Sequence, residues 1–409
     1  MLRNPRTASR AAFCKNHAAF ASLLETLDYP FTVMLSKCGK GPLLVTKRCA
    51  STAKSPAKMM AWQIYQYGGN EELTLSDRAR AATIKAPNEL LIKVHAASVN
   101  PIDVKMRGGY GQKVLNMLRA QQGGLLGSEF PLILGRDFSG VVIETGRAVY
   151  GALSAYRQGS HAQFTVASDS EIAKKPQVLS HTEAASIPYV ATTSWAALCT
   201  IGELSEKNAH KKRVLVQGGS GGIGTFSIQL LKAWGAYVAT TCSTDAVDFL
   251  RNLGADAVID YKTTDAKKEL SKLPQFDFVF DAVGGPTADD SFDLLKKWTN
   301  AKLVTIVHPF LQNTDSFGVV PGMGRAVIAL GSNLMKGFSA GRSYRWAIFL
   351  PNGKALEKVG RLVQRDLIHP VVEKEFPFSE LPAAFQFVEE GHNRGKTVVK
   401  MVERGDQPH

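Results

Sequence analysis

Residues 214–229 read VLVQGGSGGIGTFSIQ, an apolar run that breaks into a glycine loop and then resumes with helix-like spacing. Gly219, Gly221 and Gly224 satisfy G-x-G-x-x-G directly after a strand pattern and at the opening of a helix pattern. In such a setting the first glycine allows a tight turn and the second lets the backbone approach a pyrophosphate. The third permits close helix–strand packing, and the helix N-terminus offers amide groups and a positive dipole. Gly219, Ser220, Gly221, Gly222, Ile223 and Gly224 are therefore the expected dinucleotide cradle; a glycine-rich turn without a ligand is the rival reading. No other stretch restricts the fold as much, because the cradle works at the C-terminal edge of a parallel sheet.

The choice of dinucleotide falls to the end of the next strand, where NAD sites carry an acid for the ribose 2′-hydroxyl. Here it reads Thr240-Thr241-Cys242-Ser243-Thr244, with no carboxylate before Asp245. Hydroxyl groups such as that of Ser243 accommodate a 2′-phosphate that an acid would repel, which favours NADPH. The lack of a neighbouring Arg or Lys in that loop keeps NADH open. Tyr261 stands beside the adenosine or is a packed surface tyrosine. Asp281 ends a strand on the cofactor side or caps the following turn, and Val307 and His308 follow the strand LVTI into the cleft.

The rest of the chain has two rhythms. From Met60 to about residue 170, short alternating runs broken by Gly, Pro and Asn read as an antiparallel barrel. From about residue 188, strands alternate with helices of ten or so residues, the pattern of a doubly wound α/β sheet. After residue 345 a helix and two strand-like runs return. The expected division is 58–187 with 346–409 for the barrel domain and 188–345 for the dinucleotide domain, with a site in the cleft between them.

Residues 1–57 are set aside from the fold. The segment MLRNPRTASRAAFCKNHAAFASLL is rich in Arg, Ala and Ser, as mitochondrial transit peptides are. Residues 1–55 hold nine basic and two acidic residues, more than half of the formal charge of +13. The charge is thus mainly a leader property and does not indicate a nucleic-acid partner. Three of five cysteines lie there too, so Cys199 and Cys242 alone cannot build a disulfide framework or a multi-cysteine zinc site. No run of 18 or more uncharged apolar residues occurs, so a membrane-spanning helix is not expected.

The barrel–sheet–barrel order, GGSGGIG, VNPIDVKMRGGYG and LILGRDFSGVV together resemble the zinc-free quinone-oxidoreductase branch of the medium-chain dehydrogenase/reductase superfamily, over residues 59–403. The resemblance implies a GroES-like barrel domain and a Rossmann domain. Zinc-using members carry a Cys early in the barrel and a His-Glu pair later; here those regions read Ser98 to Asp103 and Gly135-Arg136-Asp137, so no metal is expected. Without that Lewis acid, alcohol oxidation loses several kcal/mol of assistance. Hydride addition to a quinone or conjugated carbonyl suffers less.

The resemblance further implies site residues. Asn100 and Asp103 border the substrate cleft, with Asn100 a donor to a carbonyl; the alternative is a turn held by its own side chains. Tyr110 is a proton donor or a wall, and Thr193 lies near the nicotinamide or only packs its helix. His392, Asn393 and Arg394 contact the cofactor or form a solvated surface, and Arg136 with Asp137 forms an ion pair where zinc would sit. Also implied are a homodimer, a matrix role touching coenzyme Q or the respiratory chain, peripheral membrane contact and a reticulon-type protein partner. A 2-enoyl thioester or alkenal reductase, and an NADPH-binding scaffold with little turnover, are the alternatives.

Overall fold

The computed structural model describes residues 57–121, 129–391 and 393–401. The expected leader, apart from Ala57, and His392 lie outside the described residues. Six parallel strands form one sheet, in the spatial order Ala257–Asp260, Tyr237–Cys242, Arg213–Gln217, Phe278–Asp281, Ala301–Thr305 and Arg342–Trp346. In chain order this is 3-2-1-4-5-6, so the winding reverses between Arg213–Gln217 and Phe278–Asp281. The glycine loop leaves the first of these two strands, at the switch point where such sheets bind their ligands.

The strand text is apolar without alternation because both faces are covered. Val214 and Val216 pack into a core with Phe226, Leu230 and Leu231 of the helix Gly222–Ala233. Leu215, one residue between them, points into a second core with Val279, Leu303 and Leu270. Successive side chains of a strand face opposite ways, and here each way is a core.

A second sheet has seven strands, built on the eleven-residue strand Glu89–Val99. It pairs antiparallel with Phe164–Ser168 near its start and with the C-terminal strand Lys396–Lys400 at its end, Val99 opposite Thr397. Asp137–Val142 runs along its other edge. The last described strand thus lies in this seven-stranded sheet, and the segment just before it is delivered to the glycine loop.

Two stretches differ from the expected pattern. The helical text of 182–204 is divided into His181–Ala185, Pro188–Trp195 and a wide-turned Ala196–Ile201. Pro188 has no N–H to continue a helix and instead starts the next one. The segment before Arg342 folds as Phe310–Phe317 and the twenty-residue helix Val319–Phe338, despite four glycines in the latter. Gly322 there lies so near Asn313 that a Cβ would come within 2.3 Å of its carbonyl oxygen. Close packing between the two helices replaces the propensity that the glycines lack.

Candidate dinucleotide and acceptor site

Strand Arg213–Gln217 ends at Gly218, whose φ of +76° makes it the left-handed residue of the turn, one position before the first motif glycine. Gly219 is needed for closeness instead, since a Cβ there would lie 2.1 Å from Thr240 Oγ1. Gly224 packs on the turn itself, with Gly218 O at 2.2 Å from an added Cβ. Gly221 is different: its φ is −72° and an added Cβ would meet nothing nearer than Gly218 O at 3.9 Å. It precedes the twelve-residue helix Gly222–Ala233 and brings no side-chain cap. Uncapped amide groups beside an open backbone fit the diphosphate of a dinucleotide.

The loop before the last strand lies on this cradle. Gly395 N donates to Ser220 O at 3.0 Å, and Lys396 Cδ would be 2.9 Å from a Cβ on Gly222. Arg394 donates to Asp245 Oδ2 at 2.5 Å, and Asp245 takes the Ser243 hydroxyl on its other oxygen. A cation absent from the local sequence is thereby brought to the end of strand Tyr237–Cys242 from 149 residues away. Tyr261 borders the same strand end, its backbone N–H on Cys242 O at 3.1 Å and its side chain largely exposed. Asn393, with its amide turned to suit its neighbours, donates to Phe387 O and Gly391 O.

Beneath the cradle, Ser98, Asn100, Asp103, Arg136, Asp137 and Lys396 are all buried. Asp137 Oδ2 accepts from Asn100 Nδ2 at 2.9 Å, from Lys396 Nζ at 3.0 Å and from the Ser98 hydroxyl. Its Oδ1 accepts the Tyr189 backbone N–H. Asn100 Oδ1 accepts from Lys396. Asp103 takes Asn100 N at 2.9 Å and Gly135 N at 3.1 Å, closing a capping box on the helix Pro101–Arg107. Arg136 Nε is 3.7 Å from Asp103, and its terminal nitrogens donate to Ser154 O and Arg157 O.

Two expectations change here. Arg136 does not pair with Asp137; adjacent residues at a strand start diverge, so Arg136 meets Asp103 while Asp137 meets Lys396. The Asn100 amide is engaged by the carboxylates and ammonium of the cluster, so of its two readings the geometry favours the turn held by its own side chains. Burial pushes the Asp103 carboxyl above its ordinary range against the pull of Arg136, and burial draws Arg136 down to about 10. The cluster sets two carboxyl groups beside two basic side chains. Among the described residues no three His, Cys, Asp or Glu side chains are grouped to hold a metal ion.

On the acceptor side stands a residue that the sequence reading did not single out. Tyr189 opens the helix after Pro188, and its ring stacks on Phe349 with centroids 4.4 Å apart. Burial first, then Asp103, Asp137 and Tyr110, raise its phenol above the ordinary range. Tyr110 is raised as well, by burial and then Asp315. The available signal was an aromatic side chain placed directly after a helix-opening proline. Thr193 is buried and donates its hydroxyl to Tyr189 O at 2.7 Å, holding the helix rather than pointing at a ligand.

At the sheet's C-terminal edge, Asp281 is fully buried and accepts Val283 N at 3.1 Å and Gly284 N at 2.9 Å, which makes it the cap of its own turn. Val307 is exposed beyond strand Ala301–Thr305. His308 stacks on Trp346 at 5.1 Å, with Nδ1 buried and unpartnered.

His161, fully buried with Nε2 on Ser98 O at 3.1 Å, is held by that burial down to about 4, below its ordinary 6.5. The unfolded chain therefore takes up this proton before the folded one does. Its contribution to stability is complete above about 6.5 and is lost as pH falls toward 4, by about 1.4 kcal/mol per pH unit for each such histidine. His181 and His308 are depressed in the same direction by burial. Urea midpoints should fall between pH 7 and pH 5, less steeply for His161→Phe; identical slopes would contradict this assignment.

Comparison with known proteins shows what the chain is similar to. The family described as alcohol dehydrogenase GroES-like domain matches residues 86–167, and that described as zinc-binding dehydrogenase matches residues 253–399. NAD(P)H oxidoreductase RTN4IP1, mitochondrial, of Danio rerio is 47% identical over 359 residues, covering 84% of this chain and 92% of that protein. Reticulon-4-interacting protein 1, mitochondrial, of Caenorhabditis elegans is 35% identical, with coverage of 87% and 98%. The structure of the quinone oxidoreductase from Coxiella burnetii superposes with a TM-score of 0.67 at 31% identity, covering 84% of this chain and 99% of its own.

Proposed function

The chain belongs to the medium-chain dehydrogenase/reductase superfamily, and from that premise we propose that it is a mitochondrial NADPH-dependent, zinc-independent reductase of quinones or related conjugated carbonyls. The observations that carry this reading are a glycine loop open enough for a diphosphate and an aromatic wall, Tyr189 stacked on Phe349 with Tyr110 in electrostatic reach. Such a wall suits a flat acceptor. The buried charges behind it are paired with one another.

A bound NADPH supplies hydride. The chain's own residues do the rest. The amides from Gly221 to Ile223 hold the diphosphate, while Ser243, Tyr261 and Arg394 flank the adenosine ribose. Val307 and His308 border the nicotinamide. Tyr189 and Phe349 orient the acceptor, and a phenol of Tyr110 or Tyr189 donates to the oxygen on which negative charge collects. Both phenols are protonated at neutral pH, as an ordinary tyrosine is, and burial raises them further.

Arg394 beside Ser243 supports NADPH over NADH, because a guanidinium binds a phosphate through charge-assisted hydrogen bonds. Arg394→Ala should weaken NADPH binding about 10- to 100-fold, as loss of a hydrogen bond to a charged group does, with NADH binding nearly unchanged. Fluorescence titration with both cofactors reads this. Equal losses for the two would remove the 2′-phosphate from Arg394.

The activity itself is tested by NADPH oxidation with a panel of quinones, enones and enoyl thioesters, with and without a chelator. Turnover of quinones or enones that survives chelation is expected. Tight NADPH binding without turnover of any acceptor would favour a scaffold, and preference for long enoyl thioesters would favour the other reductase class. The relatives' names support a mitochondrial setting and a reticulon-type partner for this chain; a matrix role touching coenzyme Q and a homodimer belong to the same proposal.

A further inference from the structure

Tyr110 sits in a turn held locally by Tyr110 N on Lys105 O and Gly109 N on Met106 O, each at 3.0 Å, and Gln112 N on Gly109 O at 3.1 Å. The turn runs through Gly109 and Gly111, with φ of +90° and +80°, between the helices Pro101–Arg107 and Gln112–Gln121. Left-handed glycines on either side of Tyr110 make a turn cheap to form and equally cheap to deform. A further hold comes from another part of the chain. Asp315, on the helix Phe310–Phe317 that follows the fifth strand of the parallel sheet, accepts Gly111 N at 2.5 Å and Lys113 N at 3.2 Å, one on each oxygen. Asp315 thereby caps the start of Gln112–Gln121 from about two hundred residues away, where a carboxylate also meets the positive end of the helix dipole. Leu311 of the same helix sets an apolar contact beside the clasp, lying 3.2 Å from where a Cβ on Gly111 would be.

We propose that Asp315 is a positioning residue: it latches the Tyr110 turn to the cofactor-side helix, so that the acceptor wall is set from the dinucleotide half of the molecule. This rests on the reading of Tyr110 as part of the acceptor wall. A merely local turn residue would not span the two sheets' helices in this way, and its loss would not separate acceptor from cofactor. The raised phenol of Tyr110, which burial and then Asp315 explain, agrees with the closeness of the carboxylate.

The test uses the full protein with Asp315→Ala, Asp315→Asn and Asp315→Glu. In Asp315→Ala, hydrogen exchange in peptide 108–114 should quicken about tenfold, the effect of losing one net hydrogen bond. The acceptor KM should rise by a similar factor with kcat less affected, and the NADPH Kd should be unchanged. Asp315→Glu should restore part of the protection and of the KM, and Asp315→Asn, which keeps the fold but offers one acceptor oxygen, should lie between. Unchanged exchange in 108–114 overturns the latch, as does an NADPH Kd that rises in step with the acceptor KM. If the wild-type protein turns over no acceptor, the reading of the activity fails while hydrogen exchange still decides the latch.

Discussion

Gly221→Asp protein should fold with near wild-type stability and bind NADPH at least about 100-fold more weakly, an energy of roughly 3 kcal/mol. Both halves of that result follow from one position. Gly221 has an ordinary φ of −72°, and a Cβ there enters open space, so neither strain nor collision opposes the side chain. The new carboxylate, however, occupies the ground a diphosphate needs and takes up the helix N-terminal amides itself. Titration by intrinsic fluorescence gives the affinity, and a thermal melt shows whether the fold is kept. Wild-type affinity in a folded Gly221→Asp protein would mean that the loop does not hold the diphosphate. Gly224→Ala is the contrasting variant: its Cβ would lie 2.2 Å from Gly218 O, so it should lower stability as well as binding.

The second large effect lies in the buried cluster. Lys396→Met should destabilise the protein by about 3–5 kcal/mol, the cost of leaving a buried charge without its partner. Lys396 is 6% exposed and Asp137 is fully buried, so solvent cannot replace the ammonium. Asp137 would keep the Ser98, Asn100 and Tyr189 donors but lose its compensating cation. Asp137→Asn in the Lys396→Met background should recover part of the loss, giving a coupling of 1 kcal/mol or more in a double-mutant cycle. Additive effects in chemical denaturation would show that the two charges do not depend on each other. Because Lys396 also packs on Gly222, the same variant tests how far the cradle leans on the last strand.

The parallel sheet and its glycine loop were legible because their signals are local. An apolar strand, a glycine turn and a helix follow one another within sixteen residues, and each needs only its neighbours to make physical sense. The helix Val319–Phe338 escaped such reading because it carries four glycines, of which Gly322 is explained only by the helix packed against it. Tyr189 was present in the text but had no local pattern to mark it. Thr193 and Asp281 were singled out by position; the Thr193 hydroxyl goes to Tyr189 O and Asp281 Oδ1 to the turn after strand Phe278–Asp281, while Asp281 Oδ2 is buried without a partner.

By itself, then, the sequence determined that a G-x-G-x-x-G loop joins a parallel strand to a helix, that no acid precedes Asp245 at the next strand's end, and that Ser98 to Asp103 and Gly135-Arg136-Asp137 hold no Cys or His. These depend on residue type and spacing, which folding does not alter. The tertiary structure decided which charges meet. It set Arg394 beside Ser243 and Asp245, Lys396 against Asp137, and Asp315 on the Tyr110 turn, across separations of roughly 150 to 260 residues. Pairings of that range are fixed by how the C-terminal strand enters the seven-stranded sheet and how the helices stack on the parallel one. No local spacing in the chain encodes them.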